Sequence, residues 1–269
     1  GVGAGGVSRR PLGAPDRVGA SAGYGPTDGR RLEAGAWQSM RLPTFTDLYY
    51  SSPAQINNLD LTPEHAVTYR LGASYMKRCW NVSGRLYYRL GRDLIDWVWY
   101  DDSPDSPEAW RGKWHSEQSS RLNTFGAELS GGYAAEEGFL RRVTLSYGYI
   151  TNDRNADIIA KSAMDFLRHK AALSVGVHFL RRMSLTLTGS VYDRNGSYTA
   201  YPVAGNSSIS EIRDYEPYFL LDGRLTWEKG WCRLYVDATN LTDTRYCDSG
   251  GLRLPGLWCT GGVVLTFGR

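Results

Sequence analysis

Asp101, Asp102, Asp105 and Glu108 crowd four carboxylates into one short stretch, and Trp110 and Trp114 follow closely. Oxygen ligands in that number could hold calcium. The ordered spacing of an EF-hand is missing, and the alternative is a solvated loop. Tyr49, Tyr50, Tyr198 and Tyr201 stand in other polar stretches. With the two tryptophans they could wall in a flat, amphipathic ligand, or pack loop against loop. Signals for catalysis are weaker. His65, His115, His169 and His178 are scattered and form no HExxH. Gly1-Val2-Gly3-Ala4-Gly5-Gly6 fits GxGxxG and Gly19-Ala20-Ser21-Ala22-Gly23 fits GxSxG. Neither has the strand-turn-helix context that a phosphate cradle or nucleophile elbow needs. The four cysteines form no CxxC pair and no zinc spacing.

The elements that must hold these groups are legible in composition and period. The 269 residues carry 31 Lys+Arg against 28 Asp+Glu, a balance that gives no reason to expect nucleic acid. A mean hydropathy of −0.41, with no run of about 18 uncharged apolar residues, excludes a transmembrane helix. Tyrosine (18) and glycine (31) are in an excess that favours strands and turns over helices.

From about Val18 onward, apolar and polar residues alternate at period two. Met183, Leu185, Leu187, Gly189 and Val191 oppose Ser184, Thr186, Thr188, Ser190 and Tyr192. Trp80, Val82, Gly84, Leu86 and Tyr88 oppose Ser83, Arg85, Tyr87 and Arg89. About eleven such strands follow one another, most near the ~9–11 residues that a tilted membrane strand needs. The apolar faces carry no charge, and their ends carry aromatics such as Tyr24, Tyr75, Tyr88, Tyr133, Tyr149 and Trp227. That is the girdle of a membrane barrel. A soluble β-sandwich buries one face equally well, but has no reason to sort its connections. Here they are sorted: Lys77–Cys79, Ala135–Gly138, Leu180–Arg182 and Glu228–Gly230 are tight, whereas Arg41–Glu64, Asp101–Ser119, Thr151–Phe166, Arg194–Tyr215 and Leu241–Pro255 are long and polar. The expected fold is therefore all-β, an antiparallel transmembrane β-barrel of a bacterial outer membrane, in contact with its lipid.

Parity adds a second expectation. Complete bacterial barrels have an even strand count. With eleven strands and the last running toward the short turns, the first begins on the long-loop side. Residues 1–16 then read as a remnant loop or disordered segment, and 17–269 as the C-terminal part of a larger barrel. Arg85, Arg89, Glu128, Asp222, Arg224, Arg233 and Asp237 fall on the polar, lumen-facing parity. Cys247 and Cys259 both fall near the outer rim, where a disulfide could form.

Asn240-Leu241-Thr242-Asp243-Thr244-Arg245-Tyr246, with Gly250-Gly251, Pro255-Gly256 and a terminal Val263–Phe267 strand, resembles the C-terminal end of a TonB-dependent outer-membrane receptor. Arg41-Leu42-Pro43-Thr44-Phe45-Thr46-Asp47-Leu48-Tyr49 and Asn58-Leu59-Asp60-Leu61-Thr62-Pro63-Glu64 resemble segments of the same family, in the same order. The resemblance implies the C-terminal half of a twenty-two-stranded barrel, without its plug domain and TonB box. It implies uptake of a scarce nutrient in partnership with plug and TonB complex, and no enzymatic activity. Within the family the segments look most like the vitamin B12 (cobalamin) receptors, so a corrinoid is the first ligand expected and an iron chelate, ferric siderophore or haem, the next. Some cobalamin receptors hold calcium in outer loops. The lumen charges would meet the plug. Gly268-Arg269 after Phe267 depart from the family's aromatic end. A rival from another class is an outer-membrane barrel hydrolase, which would need a catalytic cluster at one rim.

Overall fold

A computed structural model describes residues 2–4, 18–25, 29–100, 104–154, 166–200 and 211–267. Eleven strands form its wall: β1 (Val18–Tyr24), β2 (Arg30–Arg41), β3 (Glu64–Lys77), β4 (Trp80–Tyr100), β5 (Lys113–Ala134), β6 (Leu140–Arg154), β7 (Phe166–Phe179), β8 (Met183–Asn195), β9 (Tyr218–Lys229), β10 (Cys232–Thr239) and β11 (Trp258–Leu265). Each pairs antiparallel with the next in chain order. Val2–Ala4 adds a short strand beside β1. The rest of the expected remnant, residues 1 and 5–16, lies outside the described residues.

Phase is kept from strand to strand. Leu71 of β3 stands opposite Leu86 of β4, which stands opposite Ala127 of β5 and then Tyr149 of β6. Two register shifts occur, between Leu140 and Arg142 and between Asp193 and Arg194. Apolar residues thus share one face across the sheet, as the period predicts. Only Leu61, Ala66, Ile95, Val98 and Leu220 are buried hydrophobics among the described residues, whereas Leu71, Leu86, Leu129, Leu145, Leu173 and Val263 are exposed on the common face. A soluble sandwich would cover such a face; a lipid-facing wall leaves it bare.

The tight connections fall on one side. Arg78 (φ 50°) and Gly230 (φ 56°) in two-residue turns, and Leu180 (φ 49°) and Arg181 (φ 56°) in a three-residue one, take the left-handed conformation common in tight hairpin connections. Gly29 (φ 75°) allows its carbonyl to accept Met76 N–H at 2.8 Å; a Cβ there would run into the Met76 carbonyl. The long connections lie on the other side.

One expected loop is in part strand. β4 and β5 run 21 and 22 residues, so the stretch expected as a loop over Asp101–Ser119 becomes strand again at Lys113. The sequence hides this because alternation fails there: Leu94-Ile95 and Trp97-Val98-Trp99 are contiguous apolar runs. Both faces of this outer hairpin carry buried or half-buried side chains, so neither needs to be polar. Gln55–Ile56, from the connection after β2, pairs in parallel with Trp114–His115.

Candidate functional site

Two anchors organise the chain outside the wall. At the first, Arg41 at the end of β2 reaches Glu64 Oε1 at 3.0 Å and Asp47 Oδ2 at 3.7 Å. Glu64 is buried and also accepts the Ile95 N–H at 2.9 Å. Asp47 accepts from Thr44 N–H at 2.9 Å while Thr44 Oγ1 accepts from Asp47 N–H at 3.2 Å, a capping box on the short helix Phe45–Tyr49. The two carboxylates and one guanidinium thus fasten the connection after β2 to the root of the outer hairpin. At its far end, Trp110 stacks on His115 with ring centroids 4.1 Å apart, and Tyr100 meets Trp110 edge-on at 5.1 Å. Tyr100 Oη donates to Glu117, whose Oε1 also lies 3.2 Å from His115 Nδ1. Burial, then the Glu117 hydrogen bond, raises the pKa of the Tyr100 hydroxyl above its ordinary value.

The second anchor is Asn240, buried at the end of β10 with φ 51°. Its amide nitrogen donates to Thr244 O (2.9 Å) and Pro255 O (3.3 Å), and its amide oxygen accepts from Thr244 N–H (2.9 Å) and Thr242 Oγ1 (3.2 Å). Asp222 of β9 accepts its backbone N–H at 2.8 Å. These bonds stand the connection between β10 and β11 upright beside the hairpin Ser197–Ala200/Glu211–Asp214. Between them opens a cavity of about 980 Å³. Tyr198, Tyr215, Tyr218 and Tyr246 line it, with Arg213, Arg245 and Arg253 against Asp214 and Glu216. Tyr246 stacks on Tyr218 at 4.5 Å, and Tyr218 on Tyr192 at 5.0 Å, with Lys170 over the Tyr192 ring. Tyr218, Tyr192 and Lys170 are register partners on the polar parity, so the stack runs across the wall beside the cavity. The Tyr198 pKa is raised, first by its hydrogen bond with Cys247 and then by burial; that of Tyr246 is raised by burial and neighbouring negative groups. Both therefore offer neutral O–H groups and aromatic faces rather than phenolates.

The residues singled out from sequence distribute unevenly. Tyr198 lines the cavity, packed on Tyr215 at 5.1 Å. Trp110 belongs to the hairpin cluster, and Trp114 packs on Trp99 at 5.4 Å. Tyr49 and Tyr50 are exposed on the first anchor, Tyr49 against Phe45. Tyr201, Asp101 and Asp102 lie outside the described residues. Asp105 and Glu108 are exposed, and the described residues bring no three metal-ligating side chains together. Cys247 and Cys259 are free thiols, not a disulfide: Cys247 turns toward Tyr198, while Cys259 stands opposite Ala238 on the outward face of β11.

The lumen charges pair within the wall. Arg224 reaches Asp237 at 2.5 and 2.7 Å, Arg233 reaches Glu228 at 2.8 Å, and Arg85 lies 3.4 Å from Glu33 and 3.6 Å from Glu128. Asp222 is taken by Asn240, and Arg89 borders a smaller cavity with Arg41 and Glu64. The tyrosine stack and Arg213, Arg245 and Arg253 were missed from sequence. Tyr192 and Tyr218 carry a signal nonetheless, because both have lumen parity at the long-loop ends of their strands.

A sequence search of characterised proteins finds no match. Among solved structures, the copper transporter OprC superposes with a TM-score of 0.70 at 16% identity, covering 93% of this chain and 39% of that one. The ferric enterobactin receptor PfeA of Pseudomonas aeruginosa gives 0.69 at 15%, covering 93% and 40%. The siderophore receptor PirA of Acinetobacter baumannii gives 0.67 at 14%, covering 93% and 41%. At these identities the likeness is one of fold, and the chain spans about two fifths of each protein's length. The family described as "TonB dependent receptor-like, beta-barrel" matches residues 17–241. With its open antiparallel wall, sorted connections and bare apolar face, the chain belongs to the TonB-dependent receptor β-barrel family.

Proposed function

We propose that this chain forms wall and outer mouth of a receptor that takes up an anionic, aromatic metal chelate of the ferric-siderophore class, driven by TonB. The observation that carries this reading is the cavity of about 980 Å³ between the last two outer connections. Its volume lies at the upper end of the ~300–1,000 Å³ usual for ligand sites. Arg213 is held by Glu211 at 2.7 Å, so Arg245 and Arg253 are the guanidinium groups offered to an anion, and four tyrosines supply aromatic faces and O–H donors. The tyrosine stack extends the aromatic lining from the cavity onto the polar face of the wall. Solved relatives of this fold named as ferric siderophore and copper proteins agree with a metal-linked cargo; none of those named above is a corrinoid receptor.

The test uses the full-length protein in detergent, titrated with a ferric tris-catecholate, a copper(II) salt and cyanocobalamin while tyrosine and tryptophan fluorescence is followed. Binding of the ferric chelate is expected. Replacing Arg213, Arg245 and Arg253 together by alanine should weaken it by about ten- to a hundredfold, the loss of one or two charged hydrogen bonds. Corrinoid binding with no chelate affinity would return the cargo to the cobalamin class.

A further inference from the structure

Arg92 of β4 and Arg121 of β5 stand directly opposite each other in the sheet. Both are exposed. Like charges in that position destabilise a sheet unless something of opposite charge joins them. Neither side chain makes an ion pair or hydrogen bond with another described residue, whereas Arg85, Arg224 and Arg233 on the lumen face are ion-paired. His65 of β3 is opposite Arg92 on the other side, so the row reads His65, Arg92, Arg121. A cavity of about 190 Å³ lies against both arginines, lined also by Leu90, Gly91 and Asn123. The Asn123 amide oxygen is buried without a partner, and turning that amide would aim its N–H pair at the same space. Asp153, opposite Asn123, is a carboxylate that the register brings to this face, and it pairs with neither arginine.

Height decides what this row meets. The outward parity of β4 runs Trp80, Val82, Gly84, Leu86, Tyr88, Leu90, then Arg92. From Trp80 to Leu90 the strand advances about 33 Å at 3.3 Å per residue. Tilted by about 40–45°, it climbs roughly 25 Å, the height of a barrel's apolar band. Arg92 and Arg121 therefore stand just above the band, over the Tyr69, Tyr88 and Phe125 girdle, on the long-loop side. Outward parity faces them to lipid headgroups, not to the lumen.

We propose that Arg92 and Arg121, flanked by His65 and Asn123, form a binding site for a phosphate of an outer-leaflet glycolipid, lipopolysaccharide. Two guanidinium forks on adjacent strands match a phosphate oxygen set. The apolar face directly below receives the acyl chains of the same molecule, which a free phosphate lacks. The site is separate from the outer cavity and independent of the cargo; it depends only on the barrel's place in the outer membrane.

The experiment uses the full-length protein extracted from outer membranes, with lipopolysaccharide retained through purification measured by native mass spectrometry. The folded protein is then delipidated and titrated with purified lipopolysaccharide, the same lipid after phosphatase treatment, and inorganic phosphate. Arg92→Gln/Arg121→Gln should lower retention and affinity by about tenfold or more, the loss expected for charged hydrogen bonds. Arg92→Lys/Arg121→Lys should recover part of it, and a Lys229→Ala control at the short-turn side should match the parent. Heat-modifiable gel mobility confirms folding; if the glutamine pair misfolds, the lysine pair carries the comparison with phosphatase-treated lipid. Unchanged retention in the folded variants, or equal affinity for the dephosphorylated lipid, overturns the proposal. Competition by inorganic phosphate as effective as by the whole lipid overturns it too, in favour of a soluble anion. Loss of chelate binding with lipid retention intact would strike the proposed cargo alone.

Discussion

Asn240 shows how one side chain can set a whole loop. It occupies a left-handed backbone conformation that asparagine tolerates better than most residues. Its amide then makes four hydrogen bonds to the connection that follows. Alanine would remove all four and leave buried backbone groups unpaired, a cost of about 2–3 kcal/mol. The wall beneath draws its stability from ladder pairing and lipid, so the loss should stay local. Asn240→Ala is expected to expose residues 241–257 to protease while heat-modifiable mobility of the barrel is unchanged. Asn240→Gly separates the two causes, since it relieves the backbone but restores no bond. A glycine variant as protected as the parent would mean that conformation, not the amide, holds the loop.

At the scale of elements, the outer hairpin of β4 and β5 carries a tyrosine whose titration is tied to its packing. Tyr100 has a raised pKa because of burial and the Glu117 carboxylate beside its hydroxyl. The folded hairpin thus keeps a proton that the opened one releases at ordinary tyrosine pH. The stabilisation is complete below the unperturbed value of 10.0 and is lost as pH rises from there through the folded value. Near-UV circular dichroism of the Trp99–Trp114 pair should fade above about pH 10 in the parent and hold to higher pH in Tyr100→Phe. An identical alkaline loss in both would assign it to another group. This hairpin also marks where sequence stops being legible. Segments such as Arg41–Asp47, Pro63-Glu64 and Asn240–Thr244 were readable because their residues tie loops to the wall by local bonds of fixed spacing. The Arg213, Tyr246 and Arg253 cavity was not, because it joins two connections that approach only in three dimensions. The outer half of β4 was hidden for a third reason: with both faces covered, period two disappears.

For the whole molecule, parity is the organising quantity. Below the outer hairpin the interstrand registers keep apolar residues on one face, so a charge placed on either face tests the architecture. Leu86 lies on the outward face midway between Trp80 and Arg92, in the row Leu71, Leu86, Ala127, Tyr149. In lipid, an arginine there must be buried among acyl chains or pulled out with its strand, at about 2–4 kcal/mol. Ser146 of β6 lies on the opposite parity, in the row Ser83, Ser130, Ser146, where arginine meets a wet lumen already lined with paired charges. Leu86→Arg should shift the unfolding midpoint of the full-length protein in vesicles to lower urea, whereas Ser146→Arg should leave it nearly unchanged. A soluble sandwich would make the same assignment, because the apolar face would be its packed core, but it would stay soluble without detergent and both variants could be measured in water. Equal sensitivity of the two sites in vesicles would mean that the sheet does not present one face to lipid. The height argument for Arg92 and Arg121 would then lose its reference plane as well.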